Sequence, residues 1–137
     1  MSDSFAIDTM LRLPRLSSLR LSPDGTRLVV AVGGVAPDGK KMTTSLWQVD
    51  PADEAPARRL TRSVEGEGAG FAFLPDGSLV FESTRPDPDA KPDPDRKANA
   101  LWALPAAGGE ARLLANPEGG VCGMATAAYF SATIPLR

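Results

Sequence analysis

Short apolar segments separated by turn residues make up most of this chain. Leu28–Val32 is apolar at every position, which predicts a strand buried on both faces. The tripeptide Pro23–Gly25 precedes this segment. Proline presets φ at the first central turn position and glycine accepts the positive φ that follows, so this tripeptide predicts a tight hairpin turn. With 13 glycines and 13 prolines in 137 residues, the pattern predicts many short strands and no long helix.

The same pattern occurs twice, in the same order. Pro23 recurs as Pro75 and Trp47 recurs as Trp102, at offsets of 52 and 55 residues, and a third shared block follows at an offset of 53. Three blocks recurring in one order at nearly one spacing indicate an internal repeat of about fifty residues.

Each repeat unit is predicted to contain four short strands. They are Ser18–Leu21, Arg27–Val32, Ser45–Val49 and Arg58–Leu60 in the first unit, and Gly70–Leu74, Leu79–Ser83, Ala100–Leu104 and Ala111–Leu114 in the second. Four-stranded antiparallel units that need a neighbour to cover their faces are typical of β-propeller blades. The prediction is therefore an all-β chain with two blades and the start of a third, an incomplete propeller. A β-sandwich is the alternative, but it does not account for the repeat.

The repeat also predicts the domain organisation. Residues 1–17 are a lead-in segment, 18–64 the first blade, 65–118 the second blade and 119–137 a partial or degenerate third blade. Gly119–Met124 is a candidate first strand of that third blade, but no Pro-Asp-Gly turn follows it. We hypothesise that the reading frame stops early or shifts near residue 124; a short protein that assembles its blades by oligomerising is the competing hypothesis.

Composition excludes several classes of chemistry. The chain has no histidine, which excludes any mechanism that needs a histidine general base from this chain. The single cysteine, Cys122, excludes an intramolecular disulfide and a multi-cysteine metal cluster. The net charge is −2, and the 11 arginines and 4 lysines are scattered, so nucleic-acid binding is not expected. The N-terminus has no signal-peptide pattern and no apolar run approaches a membrane span, which predicts a cytoplasmic protein.

Two acidic segments are the main candidates for a site. Four aspartates between residues 87 and 95 resemble a calcium loop, but the EF-hand glycine and terminal glutamate are missing and the prolines favour an extended, solvated chain. Glu65 and Glu67 lie between glycines at the connection of the two units. We interpret this connection as a flexible linker in which neither carboxylate is buried or held. The sequence therefore predicts no catalytic, cofactor-binding or metal-binding residue.

Other conspicuous residues are explained by the fold. Trp47 and Trp102 occupy equivalent positions, and repeated aromatics are more typical of packing between blades than of ligand stacking. The remaining structural predictions are core positions for Phe71, Phe73 and Phe81, turn roles for Asp24 and Asp76, and a charged outer edge formed by Arg58, Arg59 and Arg62.

These motifs carry a family resemblance. Ser22–Gly25 followed by an apolar strand, then Leu46–Asp50, then Arg58–Thr61, resembles the blade pattern of the TolB-like propeller family. Within that pattern, Leu13–Gly25 and Leu101–Arg112 resemble the propeller of acylaminoacyl-peptidase-like members of the prolyl oligopeptidase family of serine peptidases. The resemblance covers residues 8–121.

The resemblance implies a function that this chain does not contain in full. Members of the family join an N-terminal propeller of about seven blades, which admits only short or unstructured peptides, to a C-terminal α/β-hydrolase domain with a Gly-x-Ser-x-Gly nucleophile turn. No such motif and no histidine occur here, so no catalytic residue carries over. We therefore expect this chain to be the N-terminal propeller fragment of a peptidase that hydrolyses short or N-acylated peptides. By itself the fragment is expected to be catalytically inert.

The expected partners follow from the same resemblance. A peptide substrate is expected only in the context of a full-length enzyme, nucleic acid and membrane are not expected, and exposed blade faces favour self-association. The alternatives are a TolB-like module for protein–protein interaction and a product without function.

Overall fold

The computed structural model describes residues 6–62, 66–91 and 99–121. These residues form a short helix and eight strands in two separate four-stranded sheets. The elements are α1 Ile7–Arg12; β1 Arg15–Leu21, β2 Leu28–Val35, β3 Met42–Val49 and β4 Arg58–Arg59 in the first sheet; and β5 Glu67–Phe73, β6 Leu79–Ser83, β7 Ala100–Leu104 and β8 Arg112–Ala115 in the second. Each sheet is an antiparallel meander in sequence order. The prediction of an all-β protein is confirmed.

The two Pro-Asp-Gly segments form the same turn. The Gly25 N–H donates to the Ser22 carbonyl at 2.9 Å, and the Gly77 N–H donates to the Leu74 carbonyl at 2.9 Å. Gly25 and Gly77 have φ values of 75° and 84°, and residues with a Cβ atom rarely adopt positive φ values of this kind. Both turns therefore connect the first two strands of a sheet, as the repeat predicts.

The predicted strands agree with the observed ones to within a few residues, with two informative differences. β1 begins at Arg15 rather than Ser18, because Arg15 and Leu16 pair with the end of β2 across a register shift. β5 begins at Glu67 rather than Gly70, again across a register shift. In both sheets the register shift interrupts the strict alternation of side chains between the two faces. The alternation pattern therefore does not predict where the strand begins.

The two sheets pack face to face around one core. Pairing across β2 and β3 places Val29, Ala31 and Leu46 on one face of the first sheet, here called the small face. This face packs against a face of the second sheet that is rich in aromatic residues, here called the aromatic face. Its members are Phe71, Phe73, Leu79, Phe81, Trp102 and Leu104. The predicted core positions of the three phenylalanines are confirmed.

Comparison of equivalent positions in the repeat shows which faces of the two sheets pack together. By the repeat offsets, Trp102 of the aromatic face corresponds to Trp47, which lies on the face of the first sheet opposite to the small face. The buried contact therefore joins two non-equivalent faces of equivalent units. This is a head-to-tail arrangement, in which each unit has one face of each kind.

Candidate functional site

The first sheet leaves one apolar face open. We call it the open face, and its apolar members are Leu16, Leu19, Leu21, Leu28, Val30, Val32, Trp47 and Val49. The leucines on the edge strand β1 are the most accessible: Leu16 is 71% exposed, and Leu19 and Leu21 are each 54% exposed. Val30, on the same face, is buried. Large exposed apolar surfaces of this kind are typical of interaction sites.

Trp47 lies in the open face and is half-buried, and its Nε1 donates to Ser45 Oγ at 3.0 Å. The repeat predicts that Trp47 and Trp102 both pack between units. Trp102 is 3% exposed and lies in the core between the two sheets, which confirms the prediction for this residue. Trp47 lies outside that core cluster, and for this residue the packing between units stays a prediction. The sequence could not distinguish the two because they occupy equivalent positions of the repeat.

Three arginines line the edge of the buried interface. The guanidinium carbons of Arg20 and Arg27 lie 5.9 Å from the Phe71 ring and 5.4 Å from the Phe73 ring, respectively. The guanidinium of Arg85 lies 5.1 Å from the Phe81 and Trp102 rings alike. Cations over aromatic faces are stabilised by the ring quadrupole, more strongly where water is excluded.

Arg27 connects the two sheets through hydrogen bonds as well. Its Nη1 donates to the carbonyl of Gly77 in the β5–β6 turn at 2.9 Å, and its Nε donates to Gln48 Oε1 in β3 at 3.1 Å. The first hydrogen bond crosses from one unit to the other. Arg27 therefore fixes the turn of the second sheet against the strands of the first.

Glu67 and Arg85 form an ion pair at the opposite end of the aromatic face. Arg85 Nη2 donates to Glu67 Oε1, and Arg85 Nε donates to Ser83 Oγ at 3.2 Å. Glu67 is 8% exposed. The prediction that Glu67 lies unheld in a flexible linker is therefore wrong: the residue belongs to β5 and pairs with Ser83, and its cation comes from beyond the end of β6. No local sequence signal joins two residues 18 positions apart.

A second buried carboxylate, Glu82, lies on the other face of the second sheet. It occupies the position that corresponds to Ala31 in the first unit. Its Oε1 has no hydrogen-bond partner, and the carboxylate fills the space where a Cβ at Gly70 would lie. Gly70 thus provides room for a buried carboxyl group next to the backbone of β5. Ala72, Val80 and Ala103 on this face are buried, and Leu74 and Leu101 are partly buried.

Asp24 and Asp76 accept hydrogen bonds within the two hairpin turns. Hydrogen bonds from the Ser22 hydroxyl, the Thr26 N–H and the Thr26 hydroxyl lower the pKa of Asp24 from 3.8 to about 2. Hydrogen bonding from Ser78 likewise lowers the pKa of Asp76. The predicted turn roles of both residues are confirmed.

The other candidates are placed as follows. Arg58 and Arg59 form the exposed edge strand β4, as predicted, and Arg59 Nε donates to the Thr61 carbonyl at 2.7 Å. In the Pro/Asp-rich loop, the Asp89 N–H donates to Asp87 Oδ1 at 2.9 Å. Glu65, Asp93, Asp95 and Cys122 lie outside the described residues, as do residues 1–5 of the predicted lead-in segment and residues 122–137 of the predicted third blade.

These arrangements define what the described residues offer chemically. Among residues 6–62, 66–91 and 99–121, no group of three His, Cys, Asp or Glu side chains is arranged to hold a metal ion. Glu67 is neutralised by Arg85, and its side chain is only 1% exposed, so it is inaccessible to a substrate. The same ranges contain no helix of the length and apolarity that crossing a membrane requires. Among these residues the open face is an accessible apolar surface with the character of an interaction site.

Comparison with known proteins gave no assignment. None of the protein-family models matches the chain, and no curated protein matches its sequence significantly.

Proposed function

We propose that the two sheets are consecutive blades of a β-propeller, and that the chain forms the N-terminal part of the propeller of a prolyl oligopeptidase-family serine peptidase. The observation that supports this proposal best is the head-to-tail stacking of two units with equivalent sequence, each of four antiparallel strands. Radial repetition of such units generates a propeller. The family-level part of the proposal depends on the resemblance of the Pro-Asp-Gly, Leu-Trp and Arg-Arg-Leu-Thr motifs.

In this proposal the chain restricts access to an active site that lies elsewhere. The propeller admits short or N-acylated peptides to a cytoplasmic hydrolase domain, and the described blades contribute its wall. The chain has no histidine, and its buried glutamate Glu67 is paired with Arg85. The blades therefore act by shape and rigidity, for which the three arginines at the interface and the two fixed hairpin turns are suited.

Two experiments test this proposal. The purified chain is incubated with acyl-amino-acid and prolyl chromogenic peptides, and we expect no turnover above the blank; turnover would contradict an inert fragment. The coding DNA beyond Arg137 is then translated in all three forward frames. Further Pro-Asp-Gly repeats and a Gly-x-Ser-x-Gly motif are the expected result, and their absence from every frame would contradict the peptidase assignment.

A TolB-like module that binds a protein partner is the second candidate. The open face favours it, because Leu16, Leu19 and Leu21 present contiguous apolar surface on one edge strand. The two candidates differ in what lies downstream, so the same translation distinguishes them. More repeats without a nucleophile motif would favour the interaction module.

A further inference from the structure

The second sheet has a face that no other described sheet covers. We call it the outer face, and its members are Ala72, Leu74, Val80, Glu82, Leu101 and Ala103. The first sheet lies against the opposite, aromatic face, and the described residues form no third sheet. Even so, Val80 and the two alanines are each only 5% exposed, and Glu82 is 6% exposed.

The side chains of the outer face are too small to bury one another. On the open face, the buried Val30 has large neighbours in register, Leu19 on β1 and Trp47 on β3. Val80 has alanines at the two matching positions of β5 and β7. The methyl group of an alanine is too short to shield a neighbouring valine from water. A covering segment outside the described strands is therefore needed.

The described chain ends beside the part of the outer face where Glu82 lies. The Val121 N–H donates to the Asn99 carbonyl at 2.8 Å. Asn99 precedes Leu101, the strand partner of Glu82, by two residues, which is roughly 7 Å along a strand. Residues 122–137 follow, and a chain of this length reaches about 50 Å when extended. A four-stranded sheet is about 15 Å wide, so this segment is long enough to reach every part of the outer face.

The composition of residues 122–137 suits a face of small residues. Bulky side chains on one side of a close-packed contact require small ones on the other. The bulky members of this segment are Met124, Tyr129, Phe130, Ile134 and Leu136. The segment has a single charged side chain, the guanidinium of Arg137.

Glu82 offers a partner for that guanidinium. Its Oε1 is buried without a hydrogen-bond partner, and a buried carboxyl oxygen that stays unpaired loses its interaction with water without compensation. A guanidinium is well shaped to donate two hydrogen bonds to a carboxylate. Glu82 stands where the first unit has Ala31, so the packing that the two units share does not account for it.

We propose that residues 122–137 of this chain cover the outer face, and that the guanidinium of Arg137 pairs with the carboxylate of Glu82. The bulky side chains of the segment fill the space above the alanines, and the ion pair fixes where the segment lies. Neither Glu82 nor Arg137 belongs to the repeated motifs. The inference therefore depends on neither the propeller part nor the peptidase part of the proposed function.

A double-mutant cycle in the full chain tests the ion pair. We expect Arg137→Met to raise the unfolding equilibrium constant at least about tenfold, because it leaves the Glu82 carboxyl group buried without its cation. In a chain that already contains Glu82→Gln, the same substitution should change the constant less than about twofold. Arg58→Met on the exposed strand β4 is the matched control and should be nearly neutral in both chains. An effect of Arg137→Met that is the same with and without Glu82→Gln would overturn the proposal.

Thiol labelling tests which segment covers the face. In chains with Cys122→Ser, a single thiol is placed on the outer face by Val80→Cys or in the interface between the sheets by Val29→Cys. Val29 is the equivalent of Val80 in the first unit and is fully buried. We expect both thiols to react slowly, and Phe130→Asp to accelerate labelling at Val80→Cys at least severalfold while leaving Val29→Cys nearly unchanged. No acceleration at Val80→Cys would overturn the proposal.

Two further measurements keep the result interpretable. If Phe130→Asp unfolds the chain and exposes both thiols, Arg137→Met takes its place; it is expected to accelerate labelling at Val80→Cys alone, and no acceleration would overturn the proposal. Labelling is also repeated at concentrations where solution mass shows a monomer. Protection of Val80→Cys that is lost on dilution would overturn the proposal in favour of a second copy as the occupant. Neither readout involves peptide hydrolysis, so this proposal and the proposed function fail separately.

Discussion

Trp47 and Trp102 occupy the same position in two units of one repeat, yet they have different environments. Trp102 is buried beneath Arg85 and against the first sheet, whereas Trp47 is half-buried on an open face. The local strand pairing is alike, since each tryptophan lies opposite a residue of the second strand of its sheet. The difference arises because the second sheet has a neighbouring sheet on this side, whereas the described residues form no further sheet beside the first. Burial in a stacked repeat is thus decided by position in the stack.

The largest expected effect tests this contrast at one equivalent pair. Phe71→Ala removes a 2%-exposed ring from the interface and should destabilise the fold by about 3–5 kcal/mol, through lost burial and a cavity. Leu19→Ala, at the equivalent position of the open face, should cost less than about 1 kcal/mol, because the side chain is half-exposed. Chemical denaturation of both variants measures the difference. Similar costs would mean that the open face is covered.

The next effect concerns the ion pair between Glu67 and Arg85 in the second sheet. Arg85→Met leaves the Glu67 carboxylate buried without its cation, and we expect a loss of about 3 kcal/mol. Adding Glu67→Gln to this variant removes the uncompensated charge and should recover part of the loss. A double-mutant cycle from denaturation midpoints measures the coupling. Additive effects of the two substitutions would show that the pair is not formed.

A smaller effect is expected for the hydrogen bond that crosses the sheets. Arg27→Met retains much of the aliphatic packing but removes the donor to the Gly77 carbonyl and the cation over Phe73, for about 1–2 kcal/mol. Arg58→Met on the exposed edge strand β4 is the matched control and should be nearly neutral. Thermal denaturation compares them, and an equal response would contradict a bridging role for Arg27.

The smallest effect is the dependence of stability on acid pH that the two equivalent turns contribute. The folded-state pKa of Asp24 is about 2, below its ordinary 3.8, so its contribution to stability is present above pH 3.8 and is lost as the pH falls towards 2. Asp24→Asn should therefore flatten the acid dependence of the thermal midpoint in this window. Asp76→Asn should act in the same direction. Acid dependence unchanged in the Asp24 variant would contradict the hydrogen-bond network of the first turn.

The local structure was largely predictable from the sequence. The Pro23–Gly25 and Pro75–Gly77 turns and the apolar segments between them gave the strands to within a few residues, because turn chemistry and alternation are local properties. The environment of Glu67 was not predictable, since its partner Arg85 is distant in sequence and its strand begins at a bulge. The unequal burial of Trp47 and Trp102 was not predictable either, because the two residues occupy equivalent positions of the repeat and have similar sequence neighbours.

The head-to-tail stack with one open face is tested most directly by the fluorescence of its two tryptophans. Trp102→Phe leaves Trp47 as the reporter of the open face, and Trp47→Phe leaves Trp102 as the reporter of the interface. We predict red-shifted emission and strong acrylamide quenching from Trp47, with blue-shifted emission and weak quenching from Trp102. Equal shielding of the two residues in a monomeric chain would contradict the account.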